Sequence, residues 1–145
     1  MKTAVLDEQA PKTYLLVFDP DEEVMGGLLA VVRERQITAG HFTAIGAVSK
    51  ATLGFFDRTA KDYTRIPQDG QAEVLSLIGD VAVTDKGEPG VHAHAVLGLP
   101  DGTARGGHLI AATVWPTLEV VLTESPKHLW RTFRPELGLA LIDLK

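Results

Sequence analysis

The sequence predicts a single α+β domain: a mainly antiparallel β-sheet packed by one main helix and finished by a short C-terminal helix. Three observations lead there. A chain of 145 residues is the size of one ordinary hydrophobic core. One early segment repeats apolar residues at helical spacing. The remainder breaks into a succession of short, roughly alternating runs, which favours antiparallel strands over repeated parallel crossovers. A composition of 45% hydrophobic and 23% charged residues excludes the disordered and membrane classes.

Residues 1–12 are expected to form a flexible N-terminal arm and residues 13–145 the folded domain. Tyr14-Leu15-Leu16-Val17-Phe18 is a continuous run of strand formers and predicts the first strand. In Asp19-Pro20-Asp21-Glu22, Asp19 is expected to cap a helix, with Pro20 at its first position and Glu22 reaching back. Val24, Leu28, Val31 and Val32 share one face of that helix, which should run to about Gln36. Gly26 and Gly27 each cost it about 1 kcal/mol relative to alanine, which suggests close packing against another element. Strand-like runs follow over 41–48, 52–57, 62–66, 72–84, 91–99, 105–114 and 118–123. Ser125-Pro126 resembles a helix start, predicting a short helix to Phe133, and Gly138 to Leu144 reads as a closing strand.

The chain has no cysteine, so it carries neither a disulfide framework nor a thiolate metal site. Its N-terminus turns acidic at Asp7-Glu8 before an apolar export signal could develop, and its apolar stretches, such as Val114 to Leu118, are too short to span a bilayer. A cytoplasmic protein with no membrane partner is expected. The net charge of −5 opposes broad attraction to nucleic acid.

The chemistry centres on histidine. His92 and His94 lie two apart in a strand pattern, so their side chains leave one face about 7 Å apart. Such a pair is also what two hydrogen-bonded surface histidines would look like. Pro100-Asp101-Gly102 has the chemistry of a three-residue hairpin loop. With that loop, Leu99 pairs with Thr103, and His94 falls opposite His108, with Cβ atoms about 5 Å apart. Three imidazoles would then meet, as in zinc sites with one open position. Gly106-Gly107 could instead mark a bulge, and a one-residue slip would turn His108 to the other face. His41 and His128 have no spaced partner and are read as structural.

Val91-His92-Ala93-His94, Asp101-Gly102, Gly106-Gly107-His108-Leu109 and Thr117 to Leu122 resemble, in that order, the signature of the PPC domain family, which plants and prokaryotes share. Ala44 to Val48 and Glu73 to Gly79 are similar to the family's other two blocks. The resemblance implies an α+β fold, a homotrimer and, in stand-alone prokaryotic members, a divalent metal, expected to be zinc, on His92, His94 and His108. Glu73 and Glu119 fall in family motifs. Each is a candidate fourth ligand, an orienting partner for a histidine, a catalytic base acting on metal-bound water, or a structural carboxylate paired with a base such as Arg105. Plant members carry an Arg-Gly-Arg-Pro type segment that enters the DNA minor groove; this chain lacks one, and Arg33, Arg35, Arg58, Arg65, Arg131 and Arg134 are scattered among acidic residues.

Three functions compete. The first is a metal-binding, homotrimeric interaction or regulatory module for a small-molecule ligand or a partner protein, since no nucleophile or phosphate loop accompanies the histidines. The second is a metal-dependent hydrolase or lyase using metal-bound water. The third is DNA binding, by family association alone.

Overall fold

Alternating burial and strand-forming composition govern almost the whole chain. The computed structural model describes residues 1–7 and 11–143. The strands are β1 (Lys2–Asp7), β2 (Thr13–Phe18), β3 (Ala39–Asp57), β4 (Asp62–Val83), β5 (Pro89–Gly98), β6 (Ala104–Glu124), β7 (Trp130–Arg134) and β8 (Leu139–Asp143). The one helix among the described residues is α1 (Val24–Glu34).

With 66% of the chain in strands and 8% in helix, the fold is β-rich, which corrects the expected α+β class with its two helices. The predicted C-terminal helix is absent. Ser125 follows the end of β6 and opens no helix, its N–H donating to the carbonyl of Ala39. Beyond it Trp130, Thr132 and Phe133, all strand formers, pair in β7 with β8. Within the expected N-terminal arm, β1 lies antiparallel along β2.

Helix α1 buries the four predicted residues, Val24, Leu28, Val31 and Val32, against β5 and β6. It starts later than expected. Glu22 does accept from the Asp19 N–H at 2.8 Å, but Asp21 has φ 69°, which interrupts the helix there. Glu23 is the cap, accepting from the N–H groups of Met25 and Gly26 at 3.2 and 2.5 Å. The glycine pair packs as predicted: a Cβ on Gly27 would lie 2.4 Å from the Phe18 ring.

The predicted short runs fuse into three long strands, because bulges let β3, β4 and β6 bend without breaking. β3 pairs with β4 and β6, β4 with β5, and β5 with β6, so these four strands close a ring. β1 and β2 extend one side through β6; the β7–β8 hairpin attaches to β4 through the Val83 and Trp130 bridge. All ladders are antiparallel except that one bridge. Inside lie Leu16, Phe18, Leu53, Leu97, Leu118 and Leu122. On β5, Ala93, Ala95 and Leu97 point inward, so His92, His94 and Val96 point out.

Candidate metal centre

The site begins with the turn. Leu99 N–H donates to the carbonyl of Thr103 at 2.9 Å, Gly102 takes φ 82°, and Asp101 Oδ1 accepts from both the N–H and the hydroxyl of Thr103. This is the hairpin the sequence predicts, and its register carries through. His94 stands opposite His108, Ala95 opposite Gly107 and Val96 opposite Gly106. The two glycines do not slip the ladder; they allow close approach. A Cβ on Gly107 would lie 2.8 Å from the Gly54 carbonyl oxygen, and one on Gly106 3.2 Å from that of Ala95.

Three imidazoles therefore gather on the outer face of the ring. Ring centroids are 5.0 Å apart for His92 and His94, 5.0 Å for His92 and His108, and 5.5 Å for His94 and His108. One ring nitrogen from each lies within 4.8 Å of the others. Tyr63 stacks on the far side of His108 at 4.5 Å and 24°. The Nδ1 of His108 is buried and has no hydrogen-bond partner. An imidazole nitrogen left this way is costly unless something else satisfies it, and a metal ion would do so. The residues present thus fit a divalent ion of the zinc type: three converging nitrogen donors and no thiolate.

Neighbouring groups orient the cluster. Asp80 on β4 is the direct register partner of His92. Its Oδ2 lies 3.8 Å from His92 Nδ1, an ion-pair separation. Arg131 of β7 holds the same carboxylate, Nη2 donating at 2.6 and 2.8 Å, and approaches His92 Nδ1 at 3.2 Å. Burial pushes the Asp80 carboxyl up, but His92 and Arg131 more than offset it, leaving it below the ordinary carboxylate range. Asp80 is thus an anion that fixes Arg131 beside His92, whose Nδ1 accepts from the guanidinium. Asp80→Asn is expected to weaken metal affinity about 10–100-fold, measured by competition with a chelator. Unchanged affinity would show that Asp80 serves only Arg131.

Electrostatics favour neutral imidazoles at His94 and His108. Burial, then the charges of His92, His94 and Arg131, depress His108 to about 4 from 6.5. Burial and then His92 also lower His94. A depressed histidine stabilises the fold fully above its unfolded pKa, and that contribution is lost as pH falls through the folded value. The metal-free protein should therefore lose stability from about pH 6.5 down to about 4. In thermal unfolding, His108→Gln should show a shallower fall over that interval; an identical slope would remove His108 as its source.

The other candidates lie elsewhere. Glu73, exposed on β4, stands opposite Ala47 and Gly98, and Glu119, exposed on β6, stands opposite Val17 and Ile45. Neither joins the histidine cluster. His41 pairs in register with Asp80 but is outside the cluster too, and His128 bonds through Nδ1 to the Thr38 hydroxyl. Sequence reasoning missed Asp80 and Tyr63 and placed Arg131 on a helix. Asp80 was reachable only through the β4–β5 register, which no strong turn signal fixed.

The model of the Plants and Prokaryotes Conserved (PCC) domain matches residues 6–126. Among solved structures, a plant- and prokaryote-conserved (PPC) protein from Pyrococcus horikoshii is 31% identical with a TM-score of 0.85, the match covering 99% of this chain and 96% of that one. A metal-containing protein from Archaeoglobus fulgidus is 34% identical with a TM-score of 0.83, covering 91% and 93%. A protein from Bacteroides thetaiotaomicron, provisionally described as DNA-binding, is 27% identical with a TM-score of 0.89, covering 97% and 96%. No curated protein matches the chain.

Proposed function

Because this chain belongs to the Plants and Prokaryotes Conserved (PCC) domain family, we propose that it is a cytoplasmic, homotrimeric, metal-binding module in which His92, His94 and His108 hold zinc and present it to a small ligand or a partner protein. The observation that carries this reading is the convergence of three ring nitrogens within 4.8 Å, one of the imidazoles having its buried Nδ1 unpartnered. The metal-containing relative from Archaeoglobus fulgidus supports it. Bound there, zinc would supply a Lewis acid with an open position. The chain's own part is to keep His94 and His108 neutral, to position His92 through Asp80 and Arg131, and to brace His108 by stacking Tyr63 on it.

The module reading is preferred over the hydrolase or lyase because the acidic residues expected to move a proton, Glu73 and Glu119, stand away from the cluster, and Asp80 is engaged by Arg131. The provisional DNA-binding description of the Bacteroides relative finds no support in the acidic balance of this chain. Metal analysis of tag-free protein tests the reading. About one zinc per chain is expected, and negligible metal would end it.

Self-association is supported by the outer sheet face. Ile45, Leu75 and Ile78 are 62%, 56% and 55% exposed, and Val121 joins them. Leu15, Val121, Thr43, Ile78 and His94 form one register row, so this apolar face runs up to the metal cluster. Apolar surface of this kind on a globular chain marks an interface. Sedimentation should give three times the chain mass, and Ile78→Glu should shift it toward monomer. A wild-type monomer at micromolar concentration would contradict the trimer.

A further inference from the structure

Beside the histidines is a cavity of about 430 Å³ whose walls differ in chemistry. Its polar side is His92, His94 and Arg131; its apolar side includes Phe56, Tyr63, Leu139 and Leu141. Leu139, Leu141 and Arg131 belong to the β7–β8 hairpin, beyond the residues that the family model matches. The hairpin is held there by the Arg131–Asp80 pair and by Lys61 Nζ donating to the Pro135 carbonyl at 3.0 Å, and within it Arg131 Nη1 donates to the Ala140 carbonyl at 3.2 Å.

We infer that this cavity binds a small monocarboxylate with an apolar body, the carboxylate on the metal and the body against Phe56, Tyr63, Leu139 and Leu141. The inference rests on the metal reading above. Three neutral imidazoles leave both charges of a divalent ion uncompensated. Asp80, the carboxylate beside His92, accepts two bonds from Arg131, whose charge offsets its own. An incoming anion can neutralise the ion. A phosphate ester would call for several basic groups, whereas one guanidinium lines the cavity and it is paired with an acid. The volume suits a ring or a branched chain, and the apolar walls would bury it. The hairpin would then decide which acids are accepted, while the ring of strands supplies the metal.

Calorimetry on zinc-loaded protein tests this with benzoate, acetate and benzyl alcohol as probes, metal content being measured in the same samples. Benzoate is expected to bind saturably. Acetate, lacking the body, and benzyl alcohol, lacking the charge, should each bind at least about tenfold more weakly. Leu141→Asp, at a position 39% exposed, should lower benzoate affinity about tenfold while metal content and unfolding temperature stay at wild-type values. Leu139→Ala gives a second, milder probe of the same wall and should lower benzoate affinity in the same direction. Loaded protein that ignores benzoate, binds acetate equally well, or keeps full benzoate affinity in both variants overturns the inference and leaves the metal reading standing. Protein that holds no metal overturns both.

Discussion

Replacing His92 and His108 together with alanine is expected to abolish stoichiometric metal binding while leaving the fold in place. One imidazole cannot hold zinc against a chelator, and the loss should exceed the 10–100-fold that follows from disturbing an orienting group such as Asp80. The fold should persist because both side chains leave the outer face of the ring, away from Leu53, Leu97 and Leu109 inside. Besides its ring contacts with the other histidines, His108 gives up its stacking on Tyr63, an interaction worth about 0.5–1.5 kcal/mol, and its buried Nδ1 has no hydrogen bond to lose. Metal content by elemental analysis, read alongside unfolding temperature, checks both halves. A double variant that retains wild-type metal would move the site away from these histidines.

Gly46→Ala is expected to be the most damaging conservative change in the scaffold, lowering unfolding free energy by about 2–5 kcal/mol. Gly46 takes φ 148°, and register shifts flank it in both of its ladders. A Cβ there would lie 2.3 Å from the Thr117 carbonyl oxygen and 2.8 Å from Leu118 Cα, both backbone atoms that cannot swing aside. Alanine therefore meets conformational strain and forces β3 from β6 at once. Gly70 is the control: its φ is 89°, but nothing lies within 4 Å of its would-be Cβ. Gly70→Ala should cost only the backbone strain, about 1–3 kcal/mol. Equal losses in urea unfolding would show that the approach of β3 to Thr117 is not what demands glycine at position 46.

The part of the site that could be read from sequence is the part fixed by local chemistry. Proline, aspartate and glycine at 100–102 set one loop, that loop sets one register, and the register puts His94 opposite His108. The inward face of α1 was equally legible, since helical spacing is a short-range pattern. Its start was not: Glu22 does reach back to the Asp19 N–H, but Asp21 turns left-handed and the helix begins after Glu23. The C-terminal segment shows the limit. Ser125-Pro126 reads locally as a helix start, whereas the strand at Trp130–Arg134 depends on its hairpin with β8 and on Asp80, which is distant in sequence. Asp80, Tyr63 and the cavity wall at Leu139 and Leu141 were hidden for the same reason: each reaches the histidines through a pairing between remote segments.

The pairing of β2 with β6 has a consequence for synthesis. Thr13 meets Thr123 across 110 residues of chain, and Leu16 and Phe18 become fully buried on that side of the fold. Translation proceeds at about 5–20 residues per second, so β2 waits roughly 5–20 seconds for its hydrogen-bonding neighbour to be made. During that interval the apolar run at 14–18 has left the ribosome without its final partner. Nascent chains stalled before residue 118 should therefore be protease-sensitive and adhesive, and those released past residue 124 should not.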